Sequence, residues 1–350
     1  MAYTTINKGS SYFNTILYTG TGASNARTGV GFQPDWVWIK GRSGATDHGL
    51  YDAVRGVQNQ IESNNTDAET TEATGLTAFG TDGFTVGALA QLNTSAATYV
   101  AWNWKANGAG VSNTDGTITS TVSANTTSGF SIVSWTGNGS SGATVGHGLG
   151  VAPKMTIIKQ RNSSNGWNVW AFANNAGDPD SFGELNSTAA WYQDQGADAP
   201  YTTQPTSSLL TLTAYGQVNG NTNTYIAYCF ADVKGYSKFG SYTGNGNADG
   251  TFVYTGFKPA YLMIKQSSAA GEGWHILDNK RSGANGDMER LLANSSNAES
   301  NYSGLLDLVS NGFKTRTSDA GVNASGATYI YMAFAENPFV SSTLIPTTAR

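Results

Sequence analysis

Three phrases recur in the same order along this chain, and that self-similarity constrains the fold more than any single motif does. An aromatic residue followed by Thr-Gly-x-Gly stands at 18–22 (YTGTG), 135–139 (WTGNG) and 242–246 (YTGNG). A proline leading into an apolar run that ends in Ile-Lys stands at 32–40 (FQPDWVWIK), 151–159 (VAPKMTIIK) and 257–265 (FKPAYLMIK). Thr-Tyr opening an alternating apolar run stands at 98–104, 224–230 and 328–334. The first phrase steps by 117 and then 107 residues, the last by 126 and then 104. Such periods exceed the ~20–50 residues of solenoid repeats, so each unit has the size of a domain. The phrases place unit one at 11–106, unit two at 128–236 and unit three at 237–340. Residues 107–127 read as a Gly/Ser/Thr/Asn linker with one short strand at 117–122, in which Ile118 and Val122 could bury. Residues 341–350 form a C-terminal tail.

Within each unit the apolar segments are short, rich in Val, Ile, Tyr and Trp, and bounded by Gly, Asn, Asp and Ser, which is strand chemistry. The expected class is all-β: three tandem, related β-sandwich units of jelly-roll or lectin-like type with few short helices. Helical turns are tolerated at 49–60 and 286–294. Asp82-Gly83 and Asn311-Gly312 supply hairpin turns in units one and three. Alternation in 98–104 puts Tyr99 and Ala101 on one face and Val100, Trp102 and Trp104 on the other. In 36–39, Trp36 and Trp38 oppose Val37 and Ile39, so that strand is covered on both sides.

Composition narrows the function classes. Charged residues make up 12% against an apolar 39% and an aromatic 11%, whereas disordered chains are charge-rich and aromatic-poor. A net charge of -5 and no basic run give no footprint for a phosphate backbone, so nucleic acid is not an expected partner. No run of 18 apolar residues and no charged-then-apolar leader predict neither membrane insertion nor a signal peptide. A single cysteine, Cys229, excludes an intramolecular disulfide and reads as a buried inert thiol.

The motifs that could carry chemistry weigh mostly toward architecture. Gly137-x-Gly139-x-x-Gly142 spells a dinucleotide fingerprint without the βαβ context that the chemistry needs, and reads as a turn. His48, His147 and His275 fall at non-equivalent positions, and no His or Cys pair has ligand spacing, so no metal, cofactor or catalytic residue is expected. His275 and Asp278, three residues apart, are the nearest acid/base candidates. Asp52 and Arg55 match Asp278 and Arg281 while unit two has Ala171, which favours an architectural pair over a catalytic dyad. A long loop at 174–208 carries Trp191, Tyr192, Asp194, Asp198 and Tyr201; aromatic faces beside acceptors suit a sugar ring, and clustered carboxylates suit calcium. An ordinary solvated loop or a protein contact is the plainer reading. Asn-x-Ser/Thr triplets such as those at Asn93 and Asn125 arise by chance in this composition.

The phrases HGLGVAPK (147–154), GFQPDWVWIK (31–40), TYVAWNWKA (98–106) and 113–139 resemble a group of structural proteins of tailed bacteriophages, especially those of marine bacteria. That resemblance implies a virion or tail-fibre location and brings no catalytic residues with it. The chain has neither the heptads nor the collagen-like repeats of long fibre shafts, so a compact spike, fibre head or decoration protein is expected. The expected role is a non-enzymatic virion component, oligomeric with a trimer favoured, that contacts other virion proteins and a host surface polysaccharide. A capsid decoration protein and a glycan depolymerase, the latter needing two carboxylates across a cleft, are the alternatives.

Overall fold

A computed structural model describes residues 4–281 and 285–338; the tail at 341–350 lies outside the described residues. The chain is all-β, with 42% of residues in strands. In the first repeat the strands Phe13–Thr19, Thr98–Trp104, Trp36–Gly41 and Gly49–Asp52 lie side by side in that order. In the second, Phe130–Thr136, Thr224–Phe230, Met155–Gln160 and Trp167–Ala171 repeat the order, as do Ser237–Thr243, Thr328–Ala335, Pro259–Gln266 and His275–Asp278 in the third. A three-stranded sheet accompanies each: Asn25–Thr28, Gly83–Val86 and Leu76–Gly80; Ala143–Gly146, Leu209–Leu212 and Tyr201–Thr203; Phe252–Tyr254, Gly312–Thr315 and Leu306–Val309. All of the ladder pairings between these strands are antiparallel.

Period-2 alternation gives the large sheets two apolar faces, and each face finds its own cover. Val37, Ile39, Tyr99 and Ala101 face the small sheet of the first repeat in one cluster with Leu76, Phe84 and Val86. Their neighbours Trp36, Trp38, Trp102 and Trp104 point the other way, into a core shared with Ile157, Tyr228 and Phe230 of the second repeat and Tyr261, Met263 and Phe334 of the third. Rings from all three repeats touch there: Trp36 stacks on Tyr228 at 4.2 Å, Trp104 meets Phe334 at 5.8 Å, and Phe230 meets Phe334 at 6.1 Å. Full burial of one such side chain contributes about 1.5–3 kcal/mol, so the shared core binds the repeats into one body.

The recurring Thr-Gly-x-Gly phrase has a threefold explanation. A Cβ on Gly20, Gly137 or Gly244 would lie 2.1–2.4 Å from the backbone oxygen of Thr94, Gly220 or Ala324, the residue that follows the facing one-turn helix. Gly22, Gly139 and Gly246 hold φ of +73°, +71° and +66°, a region costly for other residues. The facing helices, Ala90–Asn93, Gly216–Asn219 and Ala320–Asn323, end in a buried asparagine whose side-chain oxygen accepts from the backbone N–H of Thr21, Asn138 or Asn245. Each of those asparagines also donates to carbonyls of the surrounding loop, which fixes the turn from both sides.

Several local expectations are corrected. In place of the helical turns expected at 49–60 and 286–294, strands occupy Gly49–Asp52, Asn59–Gln60 and Asp287–Leu292, because each finds an antiparallel partner, in Trp36–Gly41, Thr70–Thr71 and Ser300–Ser303. The 107–127 stretch contributes strands Val111–Asn113 and Ser120–Asn125, which extend the large sheet of the second repeat. Ile118 and Val122 are both buried there, with Ile118 bridging Val145 of the small sheet.

Candidate functional site

The loop residues singled out for sugar contact do not converge on a surface. Trp191 is 6% exposed and belongs to the shared core, its ring 6.0 Å from Trp274. Tyr201 is fully buried against Trp170, and its hydroxyl shares a 2.7 Å hydrogen bond with Thr156. Neither ring can stack on a ligand, so both leave the candidate set: the loop uses its aromatics to fill the body. Tyr192 is half-buried on Phe182, with its hydroxyl 3.4 Å from Glu184, while Asp194 and Asp198 are exposed. Among the described residues no three His, Cys, Asp or Glu side chains stand where they could share a metal.

The histidines are held neutral. His48 accepts from the Trp38 indole at 2.8 Å through Nδ1, leaving Nε2–H to donate to the carbonyls of Leu292 and Ser295 in the third repeat. Burial brings it down to about 3. His147 accepts from the Leu149 N–H and faces the Thr206 carbonyl, and burial lowers it too. His275 is 1% exposed with neither ring nitrogen bonded, and burial brings it to about 3. Asp278 does not address His275; its oxygens accept from Arg281, Lys280 N–H and Trp102. Burial pushes the Cys229 thiol up to about 12. The Gly137–Gly142 turn is a poor phosphate cradle, since the N–H groups of Gly137, Asn138, Gly139, Ser140 and Gly142 all donate within the protein.

The acid and base side chains instead gather at the seams between repeats. At the seam of repeats one and two, Arg55 contacts Asp52 at 2.5 Å and Glu69 at 3.0 Å; Glu69 then takes Arg161 of repeat two at 2.7 Å. The Tyr228 hydroxyl of repeat two donates to Asp52 at 2.8 Å. At the seam of repeats three and one, Arg281 contacts Asp278 at 2.6 Å and Glu299 at 3.0 Å, Glu299 takes Arg42 of repeat one at 2.7 Å, and the Trp102 indole donates to Asp278 at 2.9 Å. Burial alone would lower the Arg55 guanidinium, but Asp52, Tyr228 and Glu69 hold it above its ordinary value. Burial would likewise raise Glu69, but Arg161 and Arg55 draw it below the usual carboxylate range.

Strand register identifies the same positions at the third seam. Asp52, Ala171 and Asp278 pair with Trp36, Met155 and Tyr261; Trp102, Tyr228 and Met332 pair with Trp38, Ile157 and Met263. The N–H groups of Glu69, Glu299 and Trp191 donate to the carbonyls of Arg161, Arg42 and Ser267. Between repeats two and three the acid is therefore Ala171, its donor Met332, the bridging glutamate Trp191 and the far arginine Ser267. Acid and donor disappear together, across a seam joining different repeats.

A third set of charges, Lys40, Lys159 and Lys265, closes the Pro…Ile-Lys phrase. All three are buried. Lys159 donates to Asn165 O at 2.7 Å and to Thr66 O of repeat one at 2.9 Å; Lys40 donates to Gly41 O at 2.9 Å and Ser296 O of repeat three at 3.2 Å; Lys265 donates to Gln266 O at 2.6 Å. Burial brings each ammonium down to about 8. The sequence offered only their recurrence as a clue to this role.

Two open concavities flank the crossover from repeat two to repeat three. One, of about 460 Å³, is lined by Asp232, Ser237, Lys238, Tyr254 and Thr255 among others. The other, of about 330 Å³, lies across the same turn and includes Thr4, Thr5, Thr126, Thr127 and Val151. No helix among the described residues is long and apolar enough to cross a membrane. A family model described as a domain of unknown function (DUF7483) matches residues 8–338, spanning all three repeats at once. No curated protein matches the chain.

Proposed function

The chain belongs to this family of domains of unknown function, and on that premise we propose that it is a structural component of a bacteriophage virion, on a tail fibre, spike or other surface appendage. Its role there is to make assembly contacts and to meet the host surface. The observation that carries this reading is the closure of three repeats around one aromatic core, with Asp52, Arg55, Asp278 and Arg281 spent on the seams. A particle protein has to persist outside a cell, where lifetime is set by the barrier to unfolding. A body whose repeats each bury two sheet faces and lock to their neighbours has such a barrier, and it needs no disulfide.

The phage resemblance supports the location, and the use of Asp52, Arg55, Asp278 and Arg281 to join the repeats supports a structural part in the role. The pseudo-threefold arrangement favours one alternative, a decoration protein seated at a threefold position of a capsid lattice, where each lobe would meet an equivalent neighbour. Cryo-electron microscopy or immunogold labelling of purified particles tests the reading. Density on an appendage supports host contact, density spread regularly over the capsid selects the decoration role, and absence from the particle overturns the proposal. The mass in solution separates a single 36.7 kDa ring from the trimer of chains expected from sequence.

A further inference from the structure

We infer that the 460 Å³ concavity beside the Asp232–Lys238 crossover is a carbohydrate site, with Tyr254 as the platform on which a pyranose ring stacks. The inference deepens the host-contact reading by naming a place and a ligand class. It begins from an internal comparison. On the edge strand Phe252–Tyr254, Val253 points into the core of the third repeat at 6% exposure, while Phe252 and Tyr254 face outward at 47% and 62%. Register with the neighbouring strand places Phe252 opposite Lys314 and Val253 opposite Phe313. The equivalent residues are Ala26 and Arg27 in repeat one, opposite Thr85 and Phe84, and Thr144 and Val145 in repeat two, opposite Thr211 and Leu210.

The outward pair Phe252/Tyr254 thus replaces Ala26/Thr28 and Thr144/Gly146. In repeat two the chain's own 113–120 segment covers this face, whereas in repeat one Ala26 and Thr28 leave it open without aromatics; folding therefore does not require the rings, and two exposed rings on one face favour a ligand.

The surroundings suit a sugar. A pyranose presents an apolar C–H face for stacking and a rim of hydroxyls that need directed donors and acceptors. Tyr254 lines the concavity above Ser237 and Thr255, whose buried hydroxyls bond the backbone at Ala231 and Phe257 and so fix its floor. Asp232 is oriented there by the Phe239 N–H at 2.9 Å and by the Lys238 ammonium at 2.7 Å. A carboxylate and an ammonium held side by side offer an acceptor and a donor to vicinal hydroxyls, and the ammonium can also meet a sugar carboxylate. The volume lies within the ~300–1,000 Å³ typical of small-ligand sites, and the threonine-lined basin across the turn gives a longer glycan room to continue.

The test is saturation-transfer NMR and titration of the whole chain with two sets of probes, neutral hexose oligomers and uronic-acid oligomers. Tyr254→Thr and Phe252→Ala install the residues of repeat one and should leave the melting temperature unchanged. The expected result is binding in at least one set that weakens tenfold or more in Tyr254→Thr and less in Phe252→Ala. An Asp194→Ala/Asp198→Ala chain should bind like the parent. The responding set assigns a neutral or an acidic sugar. No binding in either set, or binding indifferent to Tyr254→Thr, overturns the site. A chain located on particles that binds neither set overturns this site and leaves the virion reading standing; a chain that binds sugar but is absent from particles does the reverse.

Discussion

The seam between repeats one and two and the seam between repeats two and three join the same strands at the same register by opposite means. The first buries Asp52 and Arg55, with half-buried Glu69, Arg161 and the Tyr228 hydroxyl closing the set. The other fills the corresponding space with Ala171, Trp191 and Met332, all in the shared apolar core. Burying a well-bonded ion network and burying apolar groups of similar volume are close in free energy, whereas a network with one member missing is strongly unfavourable. The set therefore changes as a unit, and the molecule holds both solutions in one chain.

The largest effect should come from breaking a network halfway. Arg55→Met leaves Asp52 buried without its cation, and chemical denaturation should show a loss of about 3–5 kcal/mol. Asn174, three residues after Ala171 as Arg55 is after Asp52, should tolerate Asn174→Met with a much smaller loss. Equal losses would erase the distinction between the seams.

A smaller step removes only the donor across the seam. Tyr228→Phe deletes the hydroxyl that bonds Asp52 and should cost about 1.5–3 kcal/mol, as expected for a hydrogen bond to a charged group. No change would mean that Asp52 is satisfied by Arg55 alone.

The lysines sharpen the comparison through pH, because one is buried at the end of the same strand in every repeat. Their folded values near 8 lie below the ordinary 10.5, so between those values the unfolded chain holds more protons and stability rises with pH. The slope should reach up to about 1.4 kcal/mol per pH unit for each lysine, and Lys159→Met should flatten it. At the acid end Glu69 acts with the same sign: its depressed value gives stability that is present above about 4.5 and is lost as pH falls through the folded value. Denaturation midpoints from pH 7 to 9.5, and again below pH 5, check both.

The smallest effect should come from the most substitutions. Asp52→Ala, Arg55→Asn, Glu69→Trp, Arg161→Ser and Tyr228→Met together copy the apolar seam onto the first, and should cost less than Arg55→Met alone. A loss equal to the sum of the single changes would show that the seam is not a unit.

Much of this was legible in the chain. The three phrases mark, in chain order, the first, second and last of the four strands that every large sheet repeats, and the opposed faces of Trp36 and Val37 signalled cover on both sides. Asp52 with Arg55 and Asp278 with Arg281 read as architecture, and Ala171 marked the odd repeat. The seam partners were not legible, because Trp102 meets Asp278 and Tyr228 meets Asp52 across 176 residues each. Only knowing which repeat abuts which reveals that Met332 answers Ala171. The loop aromatics misled for a related reason: composition does not distinguish a ring offered to solvent from one that plugs a core. Trp191 stands where Glu69 and Glu299 stand, but the spacing from Ala171 differs from that in the other repeats, and only the shared backbone hydrogen bond aligns them. The buried lysines recur visibly, yet a lysine ending a strand ordinarily reads as its solvated end.

Closing the circle has a topological effect. Gly9 lies so close to the last strand of repeat three that a Cβ on it would stand 2.6 Å from the carbonyl oxygen of Ala335. The backbone thus arrives and departs at one pole. A body threaded in this way can hang as a pendant from a longer polypeptide, its entrance and exit adjoining, without prising apart whatever flanks it. A pull on both ends would load first the strands Phe13–Thr19 and Thr328–Ala335, which meet at that pole.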